Sequence, residues 1–173
     1  LYDEDRWPSG FAGGLVTKDE KYRIRYLLFT PYSYEEVGGK IRVGNEQATA
    51  LRSGNGRLIA RYSVTLDENF RLASYRRLAD GESADEGGRV FYAYLESPHV
   101  TPRYNGYTYV NTMDKAAIER FVEVTHEAYL REIGDRFGTV VPAIFTDEPQ
   151  FTHKQTLKFA SSLEDVALPW TDD

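Results

Sequence analysis

Cysteine is absent from the 173 residues. That absence removes disulfides, a thiol nucleophile and cysteine-ligated zinc. No apolar run approaches the roughly 18–20 residues that a membrane-spanning helix needs. Basic runs are missing too. Lys and Arg number 21 against 27 Asp and Glu, for a formal net charge of -6, and this balance speaks against a nucleic-acid footprint. The glycines of SGFAGG do not follow a strand in the dinucleotide pattern, and no phosphate loop occurs. HEAYL (residues 126–130) has no second histidine, since Leu130 stands where a zinc protease needs one. His126 therefore reads as a structural helix residue. His99 and His153 fall in loops with no partner for metal or catalysis.

Aromatic residues are abundant, with 13 Tyr and 9 Phe. Sugar sites use aromatic platforms, but tyrosine is also a good strand residue. The composition changes twice along the chain. Residues 1–21 hold Pro8, Gly10, Gly13 and Gly14 and read as a loop behind a short strand tail at Leu1-Tyr2. Residues 22–100 read as antiparallel β, with strands at 22–29, 57–67, 70–78 and 89–97 and a short one at 41–44. In the first of these, Tyr22, Ile24, Tyr26 and Leu28 share a face. Strand 89–97 is apolar on both faces, which places it centrally. The acidic segment 79–88 reads as a solvated connector.

Residues 101–173 are different. Asn105-Gly106-Tyr107 marks a turn. One helix is expected over 113–138, because Ala117, Ile118, Phe121, Val122, Thr125, Ala128, Tyr129 and Ile133 recur every three or four residues. Asn111, Thr112 or Asp114 can cap its start, and Gly134 or Gly138 ends it. TVVPAIFT (139–146) then reads as a buried strand of a parallel sheet. Its one candidate parallel neighbour is Leu1-Tyr2. The chain lacks an initial Met and shows no closing element after PWTDD, so a piece of a larger protein is expected. An apolar strand left without neighbours invites association, hence a homo-oligomer of the piece.

Two acidic pairs follow the two apolar stretches. Asp3-Glu4 follows Leu1-Tyr2, and Asp147-Glu148 follows IFT, with Pro149 blocking a helix behind it. Groups at the carboxyl ends of parallel strands are where α/β proteins place their chemistry. Neighbouring carboxylate pairs suit a glycosidase, in which one carboxyl donates a proton and another acts as base or nucleophile. They suit calcium equally well, and they also occur as plain loop ends. Trp7 beside the first pair, and Trp170, can stack on a sugar or anchor a loop.

LYDEDRWPSGFAGG, YNGYTYVNTMDKAAIERFVEVTHEAYLREIGDRFG, VPAIFTDEPQF and LPWTDD occur in this order. As a set they resemble the catalytic barrel of large bacterial glycoside hydrolases related to the family 106 α-L-rhamnosidases. The resemblance covers the two ends; over the middle it is architectural only. It implies an α+β chain: partial (β/α)8-barrel elements, a helix and a buried strand, with an inserted antiparallel β-sheet domain. The sections are 1–21 (barrel strand end and loop), 22–100 (insertion) and 101–173 (barrel helix, strand and acidic loop). It also implies hydrolysis of a glycosidic bond and, in many members, a bound calcium. By position Glu148 matches the general acid. Glu4 is the second candidate catalytic carboxylate, with Asp3, Asp147, Trp7, Asn105 and Trp170 as candidate substrate contacts. No metal ligands are assigned, and the base or nucleophile stays open. A non-catalytic carbohydrate-binding or interaction module is the competing expectation.

Overall fold

The computed structural model describes residues 1–3, 9–33, 56–151, 154 and 166–172. The chain is mixed α/β and divides into two compact units. The first comprises Leu1–Ile24, His99–Thr152 and Thr171–Asp173, the second Arg25–Pro98 and His153–Trp170. Strands are β1 (Tyr2–Asp3), β2 (Tyr26–Thr30), β3 (Arg57–Leu66), β4 (Leu72–Leu78), β5 (Arg89–Glu96), β6 (Phe145–Thr146) and β7 (Val166–Pro169). Helices are α1 (Lys115–Val124) and α2 (His126–Ile133). Among the described residues no helix is long and apolar enough to cross a membrane.

In the first unit the segment expected to be a loop builds the core. Ser9, Phe11, Ala12, Val16 and Thr17 are at most 1% exposed. The backbone is irregular, as glycine predicts, but it is folded inward. Gly10 and Gly14 adopt left-handed conformations, φ +86° and +99°, so the chain reverses within a few residues. A 3-10 turn at Ala12–Gly14 satisfies its own amides, with Leu15 N donating to Ala12 O at 3.0 Å. Phe11, Ala12 and Val16 thereby reach Tyr109, Val110, Ala117 and Phe121 in one cluster. Gly10 is also a close approach: a Cβ there would lie 2.5 Å from Tyr109 Oη.

Asp114 caps α1 by accepting from Ala116 N at 2.9 Å and Ala117 N at 3.3 Å. Ala117, Phe121 and Thr125 face the core, at the expected spacing. The single helix expected over 113–138 is divided at Thr125. Its hydroxyl donates back to Phe121 O at 2.5 Å, an interaction that bends helices. The backbone bond from Tyr129 N to Thr125 O persists across the bend at 3.0 Å.

The run 139–146 is not a buried strand. Val141 N and Gly138 N bond within a turn, to Arg136 O and Val141 O, both at 3.0 Å. Pro142 has no N–H to offer a ladder. Val141 makes only an isolated bridge with Phe137, Phe145–Thr146 alone forms a strand, in parallel with β1, and Val140 and Phe145 are 74% and 58% exposed. The described residues thus contain a parallel strand pair and no barrel. The arms into and out of the sheet unit meet antiparallel at Arg23 and Val110. Ile24 N donates to Tyr109 O at 3.0 Å and Asn111 N to Tyr22 O at 2.8 Å.

The second unit is a five-stranded antiparallel sheet in the order β4-β3-β5-β2-β7. β5 is central, as its two apolar faces predict. The β3–β4 turn is closed by Asp67 Oδ1, which accepts from Asn69 N at 2.8 Å and Arg71 N at 2.9 Å. Residues 22–25 do not extend β2: Tyr22 lies in a 3-10 turn, Glu20–Tyr22, capped by Asp19. The strand expected at 41–44 lies outside the described residues. The edge strand β7, for which the sequence reading had no strand, pairs with β2. Leu28, Tyr94 and Ala167 form the buried centre of one face. The 79–88 connector is pinned to β4, with Arg76 bonding Glu82 Oε1 and Asp85 Oδ1, both at 2.7 Å.

Gly10→Ala is expected to destabilise the chain by about 2–4 kcal/mol, combining left-handed strain with overpacking against Tyr109. A denaturant melt of the variant measures it, and a loss under about 0.5 kcal/mol contradicts the packing described. The connector has a pH dependence. The amide of Ala79 and then Arg76 hold the Glu82 carboxyl below its ordinary value, and Arg76 and then Ser63 do the same for Asp85. Groups depressed in the folded state contribute stability above their unfolded pKa and lose it as pH falls through the folded pKa. Amide exchange at Ala79 and Asp85 should therefore accelerate, relative to the β5 amides, as pH drops below about 4.

Candidate functional site

β1 and β6 are held side by side by backbone groups. Phe145 N donates to Leu1 O at 2.9 Å, and Leu1 N donates to Ala143 O at 3.1 Å. The register pairs Tyr2 with Phe145 and Asp3 with Thr146, and the two rings stack at 5.7 Å. In a parallel pair, residues that follow matched positions leave from the same end. Asp147-Glu148 therefore departs beside the exit of β1 at Asp3.

Asp147 is half-buried and accepts a hydrogen bond from the Tyr2 hydroxyl. This occupies one carboxylate oxygen and fixes the side chain. Glu148 is exposed, and its backbone is left-handed at φ +42°. That region is costly for a residue with a Cβ, and such outliers concentrate at functional sites. Its carboxylate makes no hydrogen bond or ion pair among the described residues. Beyond Pro149 the loop is tied down: Gln150 N donates to Tyr109 Oη at 3.1 Å.

Tyr109 is 3% exposed and packs against Phe11 and Tyr104, with ring centroids 6.4 and 5.6 Å away. Its hydroxyl lies over Gly10, two residues past the proline of the first acidic loop, and meets Gln150, two residues past Glu148. One buried phenol thus braces the chain behind both acidic segments. Burial pushes the neighbouring Tyr104 phenol up from its ordinary range.

The other expected residues fall as follows. Asp3 is in β1, at the exit that Asp147 shares. Glu4 and Trp7 lie outside the described residues. Asn105 is a turn residue with left-handed φ +51°, and its amide donates to Gly13 O at 2.8 Å, so it serves the core loop. Trp170 belongs to the sheet unit, where its N donates to Arg25 O at 3.2 Å. His126 stacks edge-on against Phe121 at 5.3 Å, the structural position expected of it. Tyr2 and Tyr109 escaped the sequence reading. Tyr2 had a signal, since it precedes the acids on an apolar stub; Tyr109 had a weaker one, the alternation in GYTYV.

For a divalent cation the described residues offer little. No three His, Asp or Glu side chains gather at one point among them. Asp147 keeps one oxygen free of Tyr2.

Tyr109→Phe should leave the global melt within about 1 kcal/mol, the net value of one hydrogen bond. Amide exchange at Gln150 should accelerate at least several-fold while α1 stays protected. Unchanged exchange at Gln150 would contradict the bracing role. Comparisons of the chain with models of known families, with curated proteins and with solved structures find no match in any of the three.

Proposed function

We propose that the chain contributes the acidic strand ends of a glycoside hydrolase active site, built on part of a (β/α)8 barrel. The observation that carries this is the parallel pairing of β1 with β6, which sends Asp3 and the Asp147-Glu148 pair out of one edge together. The order β1, α1, α2, β6 is a strand–helix–strand unit, with Arg25–Pro98 of the sheet unit spliced between β1 and α1 and the rest of that unit following β6. Tyr2, Leu130, Val140 and Phe145 are each more than half exposed. Further strands and helices of a barrel would cover such residues.

In this reading Glu148 protonates the glycosidic oxygen as the bond breaks. Glu4, the next residue in the sequence after β1, is the second carboxylate, acting as base or nucleophile. Asp147 holds a sugar hydroxyl on the oxygen that Tyr2 leaves free, Asp3 contacts the sugar from the neighbouring strand, and Trp7 stacks on it. Calcium would take hard oxygen ligands of this kind, but the described acids alone do not assemble a site for it. The isolated chain is expected to be inactive, and α-L-rhamnosides head the substrates to try.

A panel of aryl glycosides tests the proposal on this chain and on the longest reading frame containing it. Glu148→Gln should lower turnover by about 10²–10⁴ where the leaving group needs a proton. Dinitrophenyl glycosides, which leave unaided, should lose far less. Near-normal turnover on both kinds would remove Glu148 from the mechanism.

A further inference from the structure

The sheet has a second face, opposite the buried Leu28–Tyr94–Ala167 centre. Directly paired residues of an antiparallel ladder share a face, and so do alternate residues along a strand. Tyr62 pairs with Phe91 on one side and Arg77 on the other. Tyr75 precedes Arg77 by two, and Phe29 pairs with Ala93, two beyond Phe91. Four aromatic rings therefore form one row across β2, β5, β3 and β4. Phe29 lies 5.0 Å from Phe91 and 5.8 Å from Tyr62, and Tyr62 lies 6.4 Å from Tyr75. The row runs from buried Phe91 to Tyr75, which is 68% exposed.

Cations flank the row. Arg77 and Arg89 are on this face by register, and so is Arg57, paired with Leu95. No acidic residue occupies a strand position on it. None of the three arginines makes an ion pair among the described residues. On the other face Arg76 is neutralised by Glu82 and Asp85. The Arg89 guanidinium sits 5.5 Å over the Tyr32 ring, and beside it a groove of about 230 Å³ opens, lined by Val64, Leu66, Phe70 and Asp67. Asp67 is turned to the hairpin amides. In a chain of net charge -6, this is a local reserve of unpaired positive charge next to the exposed Tyr75 ring and the half-buried Tyr62 ring.

We propose that this face binds an acidic oligosaccharide: pyranose rings stack on Tyr75 and Tyr62, and ring carboxylates pair with Arg77 and Arg89. Guanidinium groups form bidentate pairs with carboxylates. Assigning the ligand to sugars rests on the glycosidase reading; its negative charge follows from the arginines alone. Single-stranded nucleic acid fits less well. Phe29 and Phe91 are already stacked on each other at 24°, and Tyr62 meets Phe29 and Tyr75 edge to face, at 63° and 62°, which leaves no slot for bases between them, and nucleic-acid sites usually neutralise more phosphates than three arginines do.

Calorimetric titration of the whole chain tests the proposal, with a mannuronate oligomer, its carboxyl-reduced neutral counterpart and oligothymidylate as probes. Expected is saturable binding of the mannuronate, weakened by salt and about tenfold weaker for the reduced oligomer, for Tyr75→Ala and for Arg77→Gln. Both variants are at exposed positions and should keep the parent melt. No binding, equal binding of the neutral oligomer, indifference to the variants, or tighter binding of oligothymidylate overturns the proposal. Glu148→Gln should leave this binding unchanged. Turnover by the longest reading frame that is lost on Glu148→Gln, without mannuronate binding by this chain, therefore sinks this proposal alone, and mannuronate binding without turnover by the longest reading frame sinks the hydrolase reading alone.

Discussion

The hydroxyl of Tyr109 is the point on which the first unit depends. Its ring is in the core, so its position is set by packing with Phe11 and Tyr104. The hydroxyl touches backbone from both acidic segments, Gly10 on one side and Gln150 on the other. A two-residue ladder supplies little rigidity alone. A buried aromatic ring carries the order of the core to the surface. Gly10 is part of the same device, because any side chain there would occupy the space of the phenol.

The strand pair adds a different constraint. A ladder two residues long fixes register but contributes few bonds. Yet register is what a paired-acid site needs, since a slip of one residue would turn Asp147 away from Tyr2. The Tyr2–Phe145 stack and the Tyr2–Asp147 hydrogen bond both sit on this short ladder and both reward the same alignment. Side chains thus do what length does in larger sheets.

Much of this was legible in the sequence, for identifiable reasons. β3, β4 and β5 alternate cleanly. α1 has its Asp114 cap and its three- and four-residue spacing. The partnership of Leu1-Tyr2 with the IFT run follows from both being apolar stubs that end in acids. The misreadings have physical causes. SGFAGGLVT was read as a plain loop because its glycines break every period, and those same glycines are what lets Phe11 and Val16 turn inward to build the core. TVVPAIFT looks buried by composition, but Pro142 and the turn at Gly138 leave only two residues to pair. β7 is four residues with a proline, too short for a pattern, and only its ladder with β2 defines it. The Tyr2 and Tyr109 hydroxyl contacts span more than a hundred and about forty residues respectively, distances at which local pattern is silent.

The paired arms at Arg23 and Val110 have a consequence for the order of folding. The core of the first unit joins Phe11 and Val16 to residues beyond Tyr109, across the whole intervening sheet segment. Closing so long a loop costs entropy before any contact repays it. The sheet removes most of that separation by itself, because Tyr26 and Glu96, just inside its two ends, are direct partners in the β2–β5 ladder. Once that ladder forms, Arg23 and Val110 are separated only by short arms. The inserted sheet is then the clasp that lets the acidic unit assemble, and a chain whose sheet fails to form loses the first unit as well.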